Sequence, residues 1–206
     1  IGESKINSQL YQHINVDISN LDSIYSKNLP EIFRNYFGLV NAAGITLKSN
    51  EKDKFINFEK TIKINLVAPY FLSELFFQSR EEPFLPSAIV NISSIGACLG
   101  FPGNPSYCSS KGGIESLTRA LSIDYSKKNV RVNTVRPGYT ETPMNQVSLS
   151  NIKEKELRSK HAVLNRWGTS SEIAETINFL LTDKASFITG SCITVDGGWT
   201  IKGIQK

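Results

Sequence analysis

The apolar positions of the chain come in short blocks separated by longer segments with a different spacing. Five blocks are rich in β-branched or small residues and end in polar or glycine-containing turns, which predicts strands. These blocks are "QHINVD" (12–17), "GLVNAAG" (38–44), "SAIVNISS" (87–94), "VRVNTVRPG" (130–138) and "CITVDGG" (192–198).

The segments between the blocks carry apolar residues three and four positions apart, as on one face of a helix. Segment 58–78 has this spacing and contains Pro69, which predicts a long helix with a kink. A second helix surrounds Tyr107, and a third begins at "TSSE" (169–172), which has the pattern of a capping box. Strands that alternate with helices predict an α/β fold, a doubly wound parallel sheet in three layers, α/β/α.

The whole chain is predicted to be one domain. Its 206 residues, 40% of them hydrophobic, suffice for one full core. The sequence shows no internal repeat, low-complexity tract or interdomain linker. We therefore expect a single domain over residues 1–206.

Charge, hydropathy and cysteine pattern narrow the possible functions. The net charge is only +4 and the lysines are scattered, which argues against a nucleic-acid partner. Runs such as "LVAPYFL" are too short to span a bilayer, so we expect no membrane partner and a soluble, cytoplasmic protein. Cys98, Cys108 and Cys192 lack the spacing of metal ligands, so we expect reduced packing residues and no metal site.

Tyr107 and Lys111 stand four residues apart near the start of a predicted helix. Residues at i and i+4 share a helix face, so the phenol and the ammonium should point into one small volume. A free phenol has a pKa of about 10, and a neighbouring ammonium favours the phenolate. The pair suits proton transfer, although this spacing also arises by chance.

Other candidate residues follow the predicted strands, where doubly wound folds bind their ligands. The strand-end groups are Asp17, residues 41–44, Ser93 with Ser94, and Pro137 with Gly138. Together with the Tyr-x-x-x-Lys pair, and in this order, they resemble the short-chain dehydrogenase/reductase family over residues 2–198.

The resemblance implies an oxidoreductase that transfers a hydride between a nicotinamide cofactor and an alcohol or carbonyl carbon. Tyr107 would be the general acid, or the base in reverse, and Lys111 would lower its pKa and bind the nicotinamide ribose. Ser94 would donate to the substrate oxygen, with Ser93 as the alternative. Asn65 would hold a water of the proton relay, or else be a helix-packing amide.

The same resemblance implies the cofactor contacts. They are Asp17, Ile18, Asn41, Ala42, Ala43, Gly44, Tyr107, Lys111, Pro137, Gly138, Thr140 and Thr142. Asp17 and Ile18 would contact adenine, and residues 137–142 would hold the nicotinamide carboxamide. A structural reading stays open for Asp17 as a turn cap, for Asn41 as a strand-end turn former and for residues 137–138 as a simple turn.

The sequence departs from the family at its start. The glycine-rich turn TGxxxGxG, which would bind the pyrophosphate, is absent, and the chain opens at Ile1 with "IGES". Either the N-terminal β-α-β unit is not represented, which we favour, or the chain binds dinucleotides poorly. Glu3 matches an acidic residue that binds the ribose 2′-hydroxyl, which favours NAD over NADP.

Three further expectations concern the substrate, the flap and the assembly. The substrate is a small alcohol or carbonyl compound; the alternatives are a 3-oxoacyl-[acyl-carrier-protein] reductase and a catalytically silent scaffold. Residues 142–165, the flap, would close over the substrate, or form an ordinary surface helix. Apolar residues around the Asn65 and Tyr107 helices exceed what one sheet face needs, and the resemblance implies a homotetramer or dimer.

Overall fold

A four-stranded sheet lies at the centre of the molecule. The computed structural model describes residues 11, 13–25, 27–47 and 52–203. Within them the strands are β1 (Gly38–Asn41), β2 (Ser87–Ile92), β3 (Val130–Pro137) and β4 (Cys192–Val195). Their order is β1-β2-β3-β4 and all pairings are parallel, so the carboxyl ends share one edge of the sheet. This confirms the predicted α/β fold with a parallel sheet.

Helices connect and cover the strands. They are α1 (Leu21–Tyr25), α2 (Leu29–Phe33), α3 (Lys54–Ile62), α4 (Ala68–Gln78), α5 (Pro105–Asp124), α6 (Gln146–Ser150), α7 (Ile152–His161) and α8 (Ser170–Leu181). None of those described is long and apolar enough to cross a membrane.

The two faces of the sheet have separate cores. On one face, Ile89 of β2 packs in a buried cluster with Phe76 of α4 and Leu121 of α5. The next residue, Val90, points to the other face and packs in a cluster with Leu180 of α8. This alternation is that of a strand covered on both sides, and it produces the three layers.

The predicted kink at Pro69 is a π-helical turn, Lys63–Val67, between α3 and α4. The Ala68 N–H bonds to the Lys63 carbonyl, five residues back instead of four. Proline has no N–H and its ring crowds the carbonyl four residues earlier, that of Asn65, so the wider turn accommodates it. The helix begins at Lys54, four residues before the predicted start.

The predicted strand at 12–17 is wrong for the residues the structure describes there. Residues 13–18 run without a strand assignment, although Ile14, Val16 and Ile18 alternate and pack against the buried cluster around Ile24. Alternation predicts an extended segment, but a strand also needs a hydrogen-bonded neighbour, and no described strand pairs with this segment.

The capping box at the start of α8 is confirmed. The Thr169 hydroxyl accepts a hydrogen bond from the Glu172 N–H at 3.3 Å, and the Glu172 carboxylate accepts one from the Thr169 N–H at 2.8 Å. Two donors at the helix start are thereby satisfied.

Candidate active site

Tyr107 and Lys111 lie on the first turns of α5, on its buried side. The Lys111 ammonium donates a hydrogen bond of 2.7 Å to the Ile92 carbonyl at the end of β2. Its Nζ atom lies 5.7 Å from the centroid of the Tyr107 ring. Only 6% of Lys111 is exposed, which is rare for a lysine outside a functional or paired setting. The expected i, i+4 pairing is therefore present.

Burial dominates the proton affinities of the pair. It raises the pKa of Tyr107, and a hydrogen bond from Ser94 only partly opposes this. Burial also lowers the pKa of Lys111 to about 8. The expectation that Lys111 lowers the phenol pKa is thus not met in the protein by itself, because desolvation of the phenolate is the larger effect. Tyr107 holds its proton at neutral pH.

The structure separates the roles of Ser93 and Ser94. The Ser93 hydroxyl faces α5 and donates to Glu115 Oε1 at 2.8 Å and to the Lys111 carbonyl at 3.2 Å. The Ser94 hydroxyl accepts from the Gly96 N–H at 3.1 Å and lines a cleft beside Tyr107. Ser94 therefore faces the cleft, while Ser93 ties β2 to α5, and contact of Ser94 with a substrate oxygen stays a prediction.

Asn65 packs beneath the site as a fully hydrogen-bonded amide. Its Nδ2 donates to the Ile45 carbonyl at 2.9 Å and to the Ser110 hydroxyl at 3.1 Å, and its Oδ1 accepts from the Ile45 N–H at 2.8 Å. These bonds join the loop after β1 to α5. Such bonds are expected of a helix-packing amide, the alternative to the relay role. A role of Asn65 in holding a water of the proton relay stays a prediction.

Asn41 holds the ends of the strands together. Its Nδ2 donates to Asn91 Oδ1 at 2.8 Å, and the Asn91 amide donates to the Thr118 hydroxyl of α5 at 2.9 Å. The Thr134 hydroxyl of β3 donates to the same Thr118 oxygen at 2.7 Å. This buried chain fixes β1, β2, β3 and α5 relative to one another. Asn41 thus has a structural role below the site.

Most of the predicted catalytic and nicotinamide-binding residues share one cleft of about 370 Å³ at the carboxyl ends of the strands. Among its lining residues are Ala42, Gly44, Ser94, Tyr107, Lys111, Pro137, Gly138, Thr140 and Thr142. A Cβ atom on Gly44 would lie 3.3 Å from Asn65 Oδ1 and 3.6 Å from Lys111 Nζ, so glycine keeps the floor of this cleft open. We call it the first cleft.

The predicted adenine contacts lie apart from the first cleft. Ile18 and Ala43 line a separate apolar cleft of about 220 Å³, which adjoins the first through Ala42. The Asp17 carboxylate accepts a hydrogen bond of 2.9 Å from the Ser19 N–H, and hydrogen bonds from Ser19, first from its side chain and then from this N–H, lower the pKa of Asp17. Asp17 therefore caps its own turn here, and its contact with adenine stays a prediction. Glu3 lies outside the described residues.

A second cleft, of about 360 Å³, shares part of its lining with the first, including Tyr107 and Ser94. Its other walls come from the loops after β1 and β2, from the segment after β3 and from the flap. They include Thr46, Phe101, Asn104, Tyr139, Met144, Asn145, Val147, Glu154 and Arg158. Tyr107 and Ser94 thus stand where a ligand in one cleft would touch a ligand in the other.

An ion pair that the sequence pattern did not predict lies under the site. Arg136 donates to both oxygens of Glu115, through Nε at 2.8 Å and through Nη2 at 2.6 Å. Glu115 stands one turn after Lys111, and Arg136 directly precedes Pro137. The available signal was Arg136, a charged residue in the strand pattern "VRVNTVRPG". No rule of sequence spacing pairs it with Glu115, which lies on a helix distant in sequence.

The described residues group no three His, Cys, Asp or Glu side chains that could hold a metal ion. Cys98 is exposed, and Cys108 and Cys192 are half-buried; all three are free thiols. Burial is the main factor that raises the pKa of Cys192, to about 12, so this thiol stays protonated at neutral pH.

The comparisons with known proteins identify the family of the chain. The model of a family described as Enoyl-(Acyl carrier protein) reductase matches residues 3–200. With dehydrogenases and reductases of the same type as relatives, the chain belongs to the short-chain dehydrogenase/reductase family.

Individual relatives differ in their names. The 2-(S)-hydroxypropyl-CoM dehydrogenase 3 of Xanthobacter autotrophicus is 36% identical over 168 residues, 79% of this chain and 66% of that protein. A 3-oxoacyl-[acyl-carrier-protein] reductase FabG of Thermotoga maritima is 34% identical over 173 residues, 79% of this chain and 65% of that protein. The chain thus spans slightly less than two thirds of these relatives.

Among solved structures, that of a 4-hydroxyisoleucine dehydrogenase complexed with NADH superposes with a TM-score of 0.86 at 31% identity. The superposition covers 92% of this chain and 79% of that one. A likeness of this extent confirms the Rossmann-like architecture derived from the sheet order.

Proposed function

We propose that this protein is an NAD(P)-dependent oxidoreductase that transfers a hydride between a nicotinamide cofactor and an alcohol or carbonyl carbon. The observation that carries the proposal is the place of Tyr107 and Ser94, at the junction of two clefts, with Lys111 buried beside them. The family and the NADH-bound relative support it.

The first cleft fits the nicotinamide half of such a cofactor. Gly44 leaves space at its floor, Pro137, Gly138, Thr140 and Thr142 line one wall, and Lys111 supplies a buried cation. When bound, the cofactor supplies or accepts the hydride. Lys111 would bind its ribose, and Thr140 and Thr142 would orient its carboxamide. The relatives do not decide between NAD and NADP.

Tyr107 would exchange the proton. In reduction, its hydroxyl donates the proton to the oxygen of the substrate carbonyl, and Ser94 donates a hydrogen bond to the same oxygen as negative charge develops there. The raised pKa of Tyr107 keeps the hydroxyl protonated for this step at neutral pH. Lys111 stabilises the phenolate that remains. Oxidation of an alcohol runs through the same atoms in reverse.

The test removes one oxygen atom. Tyr107→Phe in the full-length protein should keep cofactor binding and lower turnover about a hundred- to ten-thousandfold, the usual worth of general acid–base catalysis. The matched control is Tyr25→Phe, which removes an exposed hydroxyl far from both clefts and should change nothing. Turnover is followed by the absorbance of the reduced cofactor.

Retention of more than a tenth of wild-type turnover in Tyr107→Phe, with chemistry rate-limiting in both proteins, would remove Tyr107 from its role. A full-length protein that binds no NAD(H) or NADP(H) would favour the silent scaffold. The specific activity of a 3-oxoacyl-[acyl-carrier-protein] reductase stays an alternative, because that is one name among several relatives.

We also propose a small-molecule substrate and a symmetric homotetramer or dimer in the cytoplasm. Large apolar side chains are exposed on helices α3, α4 and α5, among them Phe55, Ile56, Tyr70 and Ile123. A symmetric contact would cover such a surface. Light scattering that shows a monomer at micromolar concentration would contradict the assembly.

A further inference from the structure

The second cleft contains one cation. Among its described lining residues, Arg158 of α7 carries the only positive charge and Glu154 the only negative charge. The remaining walls combine apolar side chains, such as Phe101 and Met144, with neutral polar groups. A cation in a cleft whose other walls, apart from Glu154, are uncharged, and which also contains Tyr107 and Ser94, is a candidate for recognising one end of a substrate.

The Arg158 guanidinium is held in place. Its central carbon lies 4.8 Å from the centroid of the Tyr139 ring, over which it stacks. The Tyr139 ring in turn contacts Trp167, with ring centroids 5.1 Å apart. Trp167 Nε1 donates to the Lys155 carbonyl of α7 at 3.1 Å, which fixes the helix that carries Arg158. A planar cation fixed in this way loses little entropy when it binds an anion.

Most of the donors of Arg158 are unused. Its Nη1 is buried and forms an ion pair with Glu154 Oε2 at 3.0 Å, but makes no hydrogen bond of good geometry within the described residues. No described residue accepts a hydrogen bond from Nε or Nη2, and 26% of the side chain is exposed. A guanidinium has five donors and two edges that can bind carboxylates, so Glu154 leaves one edge for a ligand.

We propose that Arg158 binds an anionic group, a carboxylate, of the substrate, so that the natural substrate class is hydroxy or oxo acids. The carboxylate lies against the free edge of the guanidinium while the reacting carbon lies at Tyr107 and Ser94, which line the same cleft. The assignment rests on the proposed function for the reaction. The binding of the anion itself does not depend on hydride transfer.

Substitutions of Arg158 and of its partner Glu154 distinguish a structural ion pair from a substrate site. If the ion pair only stabilises α7, the variants Arg158→Gln and Glu154→Gln should have similar effects. If Arg158 binds a substrate carboxylate, the two variants should act in opposite directions. Loss of the guanidinium removes the site, whereas loss of the Glu154 charge removes a competitor and a repelling neighbour.

Binding is measured by titration calorimetry on the full-length protein with unreactive probes in a buffer free of carboxylates and phosphate. Glutarate is compared with glutaramide, which has the same shape without the charge. We expect glutarate to bind the wild type about ten- to a hundredfold more tightly, the worth of a charge-assisted bidentate contact. Arg158→Gln should abolish this preference, Arg158→Lys should keep part of it, and Glu154→Gln should increase it.

Lys153→Gln is the matched control. It makes the same change of charge on the same helix at an exposed residue outside the second cleft, and it should leave the preference unchanged. Thermal unfolding of every variant shows whether it is folded. Equal binding of glutarate and glutaramide by the wild type, or a preference that survives in folded Arg158→Gln, would overturn the proposal.

Activity distinguishes this proposal from the proposed function. Turnover of neutral alcohols with no preference for carboxylates would keep the oxidoreductase and overturn the Arg158 site. Tight, Arg158-dependent binding of glutarate without turnover of any hydroxy acid would keep the site and overturn the reaction.

Discussion

The ion pair between Glu115 and Arg136 should contribute strongly to stability. The Glu115 carboxylate accepts two hydrogen bonds from Arg136, one from the Ser93 hydroxyl at 2.8 Å, and a weak one from the Cys192 thiol at 3.5 Å. It therefore joins α5 to the ends of β2, β3 and β4. Glu115→Gln would keep the shape of the side chain and remove its charge.

The expected cost follows from the burial of the two partners. Breaking a fully buried pair costs about 3–5 kcal/mol, and an exposed pair is worth about 1 kcal/mol or less. The Glu115 side chain is 10% exposed and that of Arg136 is 22% exposed, which places this pair nearer the buried limit. We expect Glu115→Gln to lose about 2–3 kcal/mol of the free energy of unfolding, or about 5–10 °C in Tm.

Urea and thermal unfolding of the full-length protein measure this cost. Glu31→Gln is the matched control, because Glu31 pairs with Arg34 at 2.9 Å with both side chains largely exposed, and should cost about 0.5 kcal/mol or less. If Glu115→Gln cost no more than this control, the reasoning from burial would be refuted.

The pH dependence gives a second check. Burial tends to raise the pKa of Glu115, but its bonds from Arg136 and Ser93 outweigh this and hold the pKa below its ordinary value of 4.5. A depressed carboxyl pKa stabilises the fold above the unfolded value, and this contribution disappears as the pH falls through the folded pKa. The difference between wild type and Glu115→Gln should therefore shrink below about pH 4.5.

Three further predictions concern the site. Burial lowers the pKa of Lys111 from its ordinary 10.5 to about 8 in the folded protein. Between these two pH values the unfolded chain therefore binds more protons than the folded protein. The free energy of unfolding of wild type relative to Lys111→Met should accordingly rise between these pH values. A fall there would contradict the buried ammonium. Gly138→Ala would place a Cβ 2.7 Å from the Asp196 Cα, so its unfolding free energy should drop by about 1–3 kcal/mol, whereas Gly100→Ala, with open space around it, should be neutral. Hydrogen exchange in the flap should slow when cofactor and a substrate analogue bind, mainly in residues 143–151. Unchanged exchange with an occupied site would mean that the flap does not gate the reaction.

The structure divides the flap, residues 142–165, into short elements. It contains a 3-10 turn, Pro143–Asn145, and helices α6 and α7. Trp167 anchors α7 through the Lys155 carbonyl, and the Leu164 N–H bonds to the Gly197 carbonyl at 3.1 Å. The far end of the flap is thus tied to the rest of the fold. Closure over a substrate stays a prediction, and we expect it mainly in residues 143–151, at the N-terminal end of the flap.

The sequence predicted the elements better than their contacts. Periodicity and capping located four of the five strand blocks and the helices around Tyr107 and Thr169, because those signals are local. It did not predict that residues 13–18 lack a paired strand, since pairing depends on a distant neighbour. Nor did it distinguish a serine that binds Glu115 from a serine that faces a cleft, because both follow the same strand.

The proton affinity of Tyr107 shows most clearly what spacing alone misses. The i, i+4 rule placed an ammonium beside the phenol, but Lys111 donates to the Ile92 carbonyl and lies over the ring. Burial penalises both charged forms, so it raises the pKa of the phenol and lowers that of the ammonium to about 8. At neutral pH the tyrosine is protonated and the lysine is still mostly charged. If the proposed function is right, this state would be ready to give a proton to a carbonyl oxygen, whereas oxidation of an alcohol would begin from the phenolate and should require a higher pH.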